Sequence, residues 1–151
     1  MYDISRDEWR AGPPMLSGRM SHSCIVIETE KKEKKVLVVG GDSYNREFPD
    51  RLKSIEVFDI ATQTWSYGID QPFESSSHTF DSVYASSLVG TSPDSIYAAF
   101  LIGGWQKDRP LSNIFGLTRD LTEWKNIAGS FATPRSGHVA LKLPQTIMES
   151  C

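Results

Sequence analysis

The sequence predicts an all-β fold built from a repeated unit of nearly 60 residues, and three observations predict it. Tryptophan recurs at intervals of 56 and 59 residues, at Trp9, Trp65 and Trp124. Histidine recurs at intervals of 56 and 60 residues, at His22, His78 and His138. An apolar run ends in a diglycine within both complete units, at Gly40 and Gly41 and at Gly103 and Gly104. Short strands that repeat with a period of roughly 50 residues are typical of β-propeller blades.

Each complete unit resolves into four short strands separated by turn-forming residues. The first unit has predicted strands at residues 23–28, 35–39, 54–59 and 64–67. The second has predicted strands at residues 79–89, 95–102, 113–117 and 123–125. The runs before the diglycines are apolar at every position, which predicts strands covered on both faces by neighbouring blades.

The remaining landmarks of the unit are interpreted as structural. Phe58 stands seven residues before Trp65 with Asp and Thr between them, which predicts a hairpin with a large ring on each arm. We expect the tryptophans to fill the space between sheets. The mixed charges of residues 28–35 indicate a solvated hairpin tip between the first two strands.

Composition narrows the possible partners. With 39% hydrophobic and 23% charged residues the chain is an ordinary globular protein, and its net charge of -3 gives no reason to expect nucleic acid or a membrane surface as a partner. The 2 cysteines, Cys24 and Cys151, are too few for a disulfide framework, which favours a reducing compartment. The first residues lack the apolar core of a signal peptide. We therefore expect a cytoplasmic protein.

The order of His22, Gly40, Gly41, Phe58 and Trp65 resembles a kelch repeat, and Gly103, Gly104, Leu117 and Trp124 resemble a second one. The resemblance divides the chain into the end of a preceding blade (1–15), two kelch blades (16–70 and 71–130) and the first strand of a following blade (131–151). The second blade departs from the pattern: Leu117 replaces the usual aromatic residue. Ser75 also stands three residues before its histidine, where Arg19 and Arg135 precede theirs.

Phosphate and metal sites are the alternatives to a structural role for the repeated residues. No helix start or Gly-Lys-Ser/Thr sequence follows the diglycines, so we interpret them as strand ends that need close backbone approach or positive φ. Equivalent histidines across a wide channel rarely meet one metal ion, so we expect His22, His78 and His138 to hydrogen-bond neighbouring backbone. We expect no cofactor.

The loops that follow the two diglycines are the candidate binding surface, because strand alternation places both on one rim and loops on a rigid frame carry function. They mix cations with aromatic residues, a composition typical of binding hot spots. The candidates for contact with a protein or peptide partner are Tyr44, Arg46, Arg51, Trp105, Lys107 and Arg109. Solvated loop cations without a partner are the alternative interpretation.

The sequence favours a non-catalytic protein-binding scaffold or adaptor. The kelch resemblance implies rim arginines that recruit acidic peptides, in a ubiquitin-ligase or cytoskeletal context. The alternative is part of a propeller enzyme, such as a copper-radical oxidase or a sugar-modifying enzyme, for which the sequence offers no grouped ligands or paired carboxylates.

Propellers have about 4 to 8 blades, so we expect part of a longer protein, or closure of the ring by oligomerisation.

Overall fold

A computed structural model of the chain describes residues 1–43, 52–72, 87–91, 94–106 and 109–140, and all regular structure within these ranges is β-strand. The strands are β1 (Tyr2–Asp3), β2 (Glu8–Trp9), β3 (Arg19–Met20), β4 (Ser23–Glu28), β5 (Lys34–Val39), β6 (Asp42–Ser43), β7 (Ile55–Asp59), β8 (Thr64–Tyr67), β9 (Ser87–Gly90), β10 (Tyr97–Ile102), β11 (Trp105–Gln106), β12 (Arg109–Thr118) and β13 (Trp124–Arg135). The part of the chain that the structure describes contains no helix that could span a membrane.

The first blade is a four-stranded antiparallel sheet in the order β4-β5-β7-β8. Its register places Val39 opposite both Ser23 and Ile55, and Lys35 opposite both Ile27 and Asp59. The predicted strands 23–28 and 64–67 are confirmed at both ends, and β5 and β7 each differ from the prediction by one residue at their start. The alternation and turn residues of this unit therefore determine its local structure well.

The second blade has the order β9-β10-β12-β13, and β11 pairs with the first residues of β12. The predictions 113–117 and 123–125 are wrong in length, since β12 and β13 extend much further towards the diglycine end. Residues 128–134 include glycine, serine and proline, and two register irregularities absorb the extra residues while the strands stay paired. Residues 131–135, expected in a following blade, thus continue β13. The predicted strand 79–89 is described from Ser87 onward.

The core lies between the two blades, because the apolar residues of both sheets form one buried cluster. It comprises Ile27, Leu37, Val39, Ile55 and Val57 of the first blade with Ala98, Ala99, Leu101, Phe115 and Leu117 of the second. Leu37, Ala99 and Leu101 have no exposed surface. This confirms a neighbouring blade on one face of the strands before the diglycines, and the predicted cover on their other face stays a prediction.

The tryptophans differ from one another in burial. Trp65 lies opposite Phe58 with ring centroids 4.9 Å apart, which confirms the predicted hairpin, and Trp124 lies opposite Leu117 and packs against the core. Trp9 is 81% exposed, so it fills no intersheet space among the described residues. It stands in the two-stranded hairpin β1-β2, where Tyr2 contacts its ring at 5.2 Å and no third strand of the described residues pairs with that hairpin.

Arg119, in the turn between β12 and β13, shows how the blades are oriented. Its guanidinium donates to the carbonyl of Glu28 in the first blade and to the carbonyl of Ser95 and the hydroxyl of Thr91 in the second. These three acceptors lie at the ends of the strands that are remote from the diglycines. Because the remote ends meet, the diglycine ends of both blades face the same side of the molecule.

Candidate functional site

We call the shared diglycine end the diglycine rim; its described residues are 40–43, 52–54, 103–106, 109–111 and 131–135. All four glycines adopt positive φ, between 56° and 116°. A Cβ on Gly41 would lie 2.4 Å from the carbonyl oxygen of Met20, and one on Gly103 would lie 2.6 Å from that of Arg135. The prediction that the diglycines need close backbone approach or positive φ is confirmed, and Gly41 and Gly103 show both.

The two rim loops start and close in the same way. The amide of Leu52 donates to the carbonyl of Gly41, and the amide of Leu111 donates to the carbonyl of Gly104, both at 2.8 Å. Each loop therefore leaves the blade at the second glycine and returns at a leucine held against it. The loops differ in length, since they span residues 42–51 and 105–110.

The end of the first loop is held by side chains from two other segments. Gln71 donates from its side-chain amide to the carbonyl of Leu52 at 3.2 Å, and its backbone amide donates to the carbonyl of Lys53 at 3.3 Å. Arg19 donates to the carbonyl and hydroxyl of Ser54 at 2.9 and 3.0 Å. We call residues 52–54 the loop foot. Three consecutive residues of this foot are thus each fixed by a hydrogen bond.

Arg19 also belongs to a buried ion pair that the sequence analysis missed. One guanidinium nitrogen lies 2.6 Å from a carboxylate oxygen of Glu56, and neither side chain is exposed. The carboxylate also accepts from the amides of Leu16 and Ser17 at 2.8 and 2.9 Å. A charged residue between Ile55 and Val57 in an apolar strand was the available signal, because a buried charge requires a partner.

The second blade replaces both members of this pair together. Aligning Trp65 with Trp124 places Phe115 at the position of Glu56, while Ser75 stands at the position of Arg19 in the sequence. Phe115 is buried in the core cluster. A buried glutamate without its arginine would be strongly unfavourable, so the two departures from the repeat have one physical cause.

Among the predicted binding residues, Arg109 is exposed at the start of β12, and Trp105 lies in β11, paired with Pro110. The structure adds a neighbour that was not predicted: the guanidinium of Arg135 lies 5.6 Å from the ring centroid of Phe131 on the same rim. Arg135 is exposed. The predicted residues Tyr44, Arg46, Arg51 and Lys107 lie outside the described residues.

The two described histidines both lie against diglycines. His22 is exposed, with its backbone and Cβ 3.1 Å from where a Cβ of Gly41 would be. The ring of His138 contacts Gly103 closely and meets the ring of Phe131 edge-on, with centroids 6.1 Å apart. His78 lies outside the described residues. Within the described ranges no three His, Cys, Asp or Glu side chains are grouped as metal ligands would be.

The end opposite the diglycine rim carries paired charges. Lys35 lies 3.2 Å from both Glu33 and Asp59. Burial lowers the pKa of Lys35, but its hydrogen bonds to these two carboxylates outweigh burial and raise the pKa above its ordinary value. The amide of Thr62 and then Lys35 lower the pKa of Asp59. The predicted solvated tip at residues 28–35 is confirmed, and its charges are largely compensated within the hairpins.

The Kelch motif matches residues 33–68, which include Gly40, Gly41, Phe58 and Trp65. No curated protein sequence matches the chain. A similar solved structure is that of YjhT, with a TM-score of 0.61 and 17% sequence identity over 89% of this chain and 44% of that chain. This chain thus spans less than half of the length of that protein, and the likeness concerns the fold.

Proposed function

We propose that this chain, which carries a kelch motif and has the fold of part of a kelch-type β-propeller, binds a protein or peptide partner on its diglycine rim and has no chemistry of its own. The observation that supports the proposal is the pair of rim loops that leave equivalent diglycines and close on equivalent leucines. Loops of different length on identical anchors can vary in contact residues without disturbing the blades.

The exposed charge on the rim indicates the chemistry of the partner. Arg109 and Arg135 are both exposed there, and Arg135 is held beside the ring of Phe131. A guanidinium beside an aromatic ring is preorganised for a carboxylate, because it needs little further ordering. We therefore propose an acidic segment of a protein as the partner, in the cytoplasm, where a chain with 2 cysteines remains reduced.

The test measures binding of the purified protein to immobilised peptides rich in Asp and Glu, with Asn and Gln versions of the same peptides for comparison. We expect the acidic set to bind and Arg109→Ala to weaken binding about fivefold, the effect of roughly 1 kcal/mol for an interface arginine. Lys31→Ala is the matched control, since Lys31 is exposed at the opposite end of the first blade.

Two outcomes would contradict the proposal. One is equal loss of binding in Lys31→Ala, or equal binding of the acidic and amide peptides, because neither depends on the rim arginines. The other is stoichiometric copper in the purified protein, which would favour a propeller oxidase. Metal content is measured on the same preparation, so that both outcomes are read from one sample.

A further inference from the structure

Gln71 is an unusual residue for its position. It follows the last strand of the first blade, is only 6% exposed, and donates to the carbonyl of Leu52. The other end of its side-chain amide, Oε1, is buried and has no hydrogen-bond partner among the described residues. An unpaired buried acceptor lowers stability, so an apolar side chain of similar length would suit the interior of the blade at least as well.

The second blade holds the end of its rim loop in a different way. Aligning Trp65 with Trp124 places Ser130 at the position of Gln71 and Asn113 at the position of Ser54. Ser130 lies in β13 directly opposite Asn113, and Arg135 lies opposite Leu111. The end of the second loop is therefore held by backbone pairing with a long neighbouring strand. In the first blade β8 ends at Tyr67, and side chains replace that pairing.

We propose that Gln71 is a positioning residue of the diglycine rim, whose side-chain amide holds the carbonyl of Leu52 and so fixes where the first rim loop re-enters the blade. This inference rests on the proposed function for its biological meaning. Its structural content concerns only the loop foot, residues 52–54. Arg19 fixes the last residue of the same foot, but it is also part of the buried ion pair with Glu56. Gln71 therefore allows the foot to be loosened without breaking that pair.

The experiment is amide hydrogen exchange of Gln71→Met, a change that keeps the length of the side chain and removes both its donor and its acceptor. We expect the amide of Leu52 to exchange about fivefold to tenfold faster, the effect of losing one hydrogen bond that closes the foot. The amide of Leu111, the equivalent position in the second blade, should exchange at the rate seen in the unaltered protein. The melting temperature should change little.

The control is Gln63→Met, the same substitution at an exposed glutamine in the turn between β7 and β8. It should leave the exchange of Leu52 and Leu111 unchanged. Unchanged exchange of Leu52 in Gln71→Met would overturn the proposal. So would a parallel rise at Leu52 and Leu111 with a lower melting temperature, because that result assigns Gln71 to the general stability of both blades.

The binding test and the exchange test fail separately. Hydrogen exchange needs no partner, so the foot can be shown to depend on Gln71 even if no acidic peptide binds. If acidic peptides bind, Gln71→Met should weaken their binding while Gln63→Met does not. If Gln71→Met weakens exchange protection at Leu52 but leaves peptide affinity unchanged, Gln71 does fix the loop foot. The foot then has no role in recognition of the partner.

Discussion

Arg19 and Glu56 form a fully buried ion pair in the first blade. Both side chains are without exposed surface, and the carboxylate also satisfies the amides of Leu16 and Ser17. Removing one partner leaves the other charge buried, which typically costs about 3–5 kcal/mol. Replacing both partners by apolar residues removes that penalty, although here it also leaves the two amides unpaired.

We therefore predict that Arg19→Met lowers the free energy of unfolding by about 3–5 kcal/mol, and that adding Glu56→Leu recovers only part of the loss. Chemical denaturation followed by fluorescence measures both values. Full recovery in the double variant would contradict the importance of the carboxylate to Leu16 and Ser17. A loss near zero in Arg19→Met would contradict the buried pair itself.

Residues with a strict backbone requirement could be predicted from the sequence, and residues defined by a distant partner could not. The backbone conformation of Gly41 and Gly103 could be predicted because their position after an apolar run implies a sharp turn. Glu56 and Gln71 contact residues 40 and 19 positions away in the sequence. The charge of Glu56 in an apolar strand signals a buried partner, but no local pattern identifies which residue that partner is. The exposure of Trp9 shows the converse, since a repeated residue need not have the same environment in each unit.

In the hairpin between β7 and β8, a turn and an ion pair meet at Asp59. Both contribute to the pH dependence of the stability of the hairpin. Asp59 accepts from the amides of Ala61 and Thr62 and lies 3.2 Å from Lys35. These contacts stabilise the charged carboxylate, so the pKa of Asp59 lies below its ordinary value of 3.8. A carboxyl whose pKa is lowered on folding stabilises the protein above the unfolded pKa and loses that effect as the pH falls through the folded pKa.

We predict that an NMR titration of the carboxyl carbon of Asp59 has its midpoint below pH 3.8. In Lys35→Met the midpoint should rise, but not to its ordinary value, because the amide of Thr62 is the larger cause of the lowered pKa. An unshifted midpoint in the unaltered protein would show that the turn does not form in solution. Lys31→Met, in the other hairpin, should leave the midpoint unchanged.

The ends of a strand could be predicted where residues next to it in the sequence determine them. β4 and β8 agree at both ends because alternation and turn residues bound them locally. β13 extends far beyond the predicted residues 123–125, since its pairing with β12 tolerates small residues and a proline at irregular positions. Such pairing is decided by the partner strand, and the sequence of β13 alone resembles a loop.

At the scale of the whole molecule, Arg119 joins the blades at the end opposite the diglycine rim. It contacts the carbonyl of Glu28, which is 91 residues away in the sequence, while the apolar cluster joins the blades along their faces. We predict that Arg119→Ala makes unfolding of the two blades less cooperative, because the side-chain hydrogen bond between them is lost, while the apolar contacts and the hydrogen bond from the amide of Glu30 to the carbonyl of Arg119 remain.

Hydrogen exchange across the denaturation transition measures that cooperativity. In the unaltered protein β5 and β10 should lose protection together, and in Arg119→Ala they should separate. Arg6→Ala, an exposed arginine in the turn of the N-terminal hairpin, is the control and should leave the two strands coupled. Separate loss of protection in the unaltered protein would show that the blades are independent units.

The general location of the candidate site was predictable, because strand alternation alone places both loops on one side. What joins the loops to the blades was not, since Leu52, Leu111 and Gln71 carry no signature in the sequence. Arg135 was assigned to a following blade, and only the pairing of β13 with β12 brings it to the rim beside Phe131.

The matching closures at Leu52 and Leu111 have a consequence for engineering. At each closure a leucine amide donates to a glycine carbonyl 2.8 Å away. The two loops closed in this way already differ in length. Doubling the length of a flexible insert costs only about 0.6 kcal/mol in closure entropy. A foreign peptide could therefore be grafted between residues 41 and 52 with little loss of blade stability. Grafts at both closures would display a pair of epitopes on one side of the molecule.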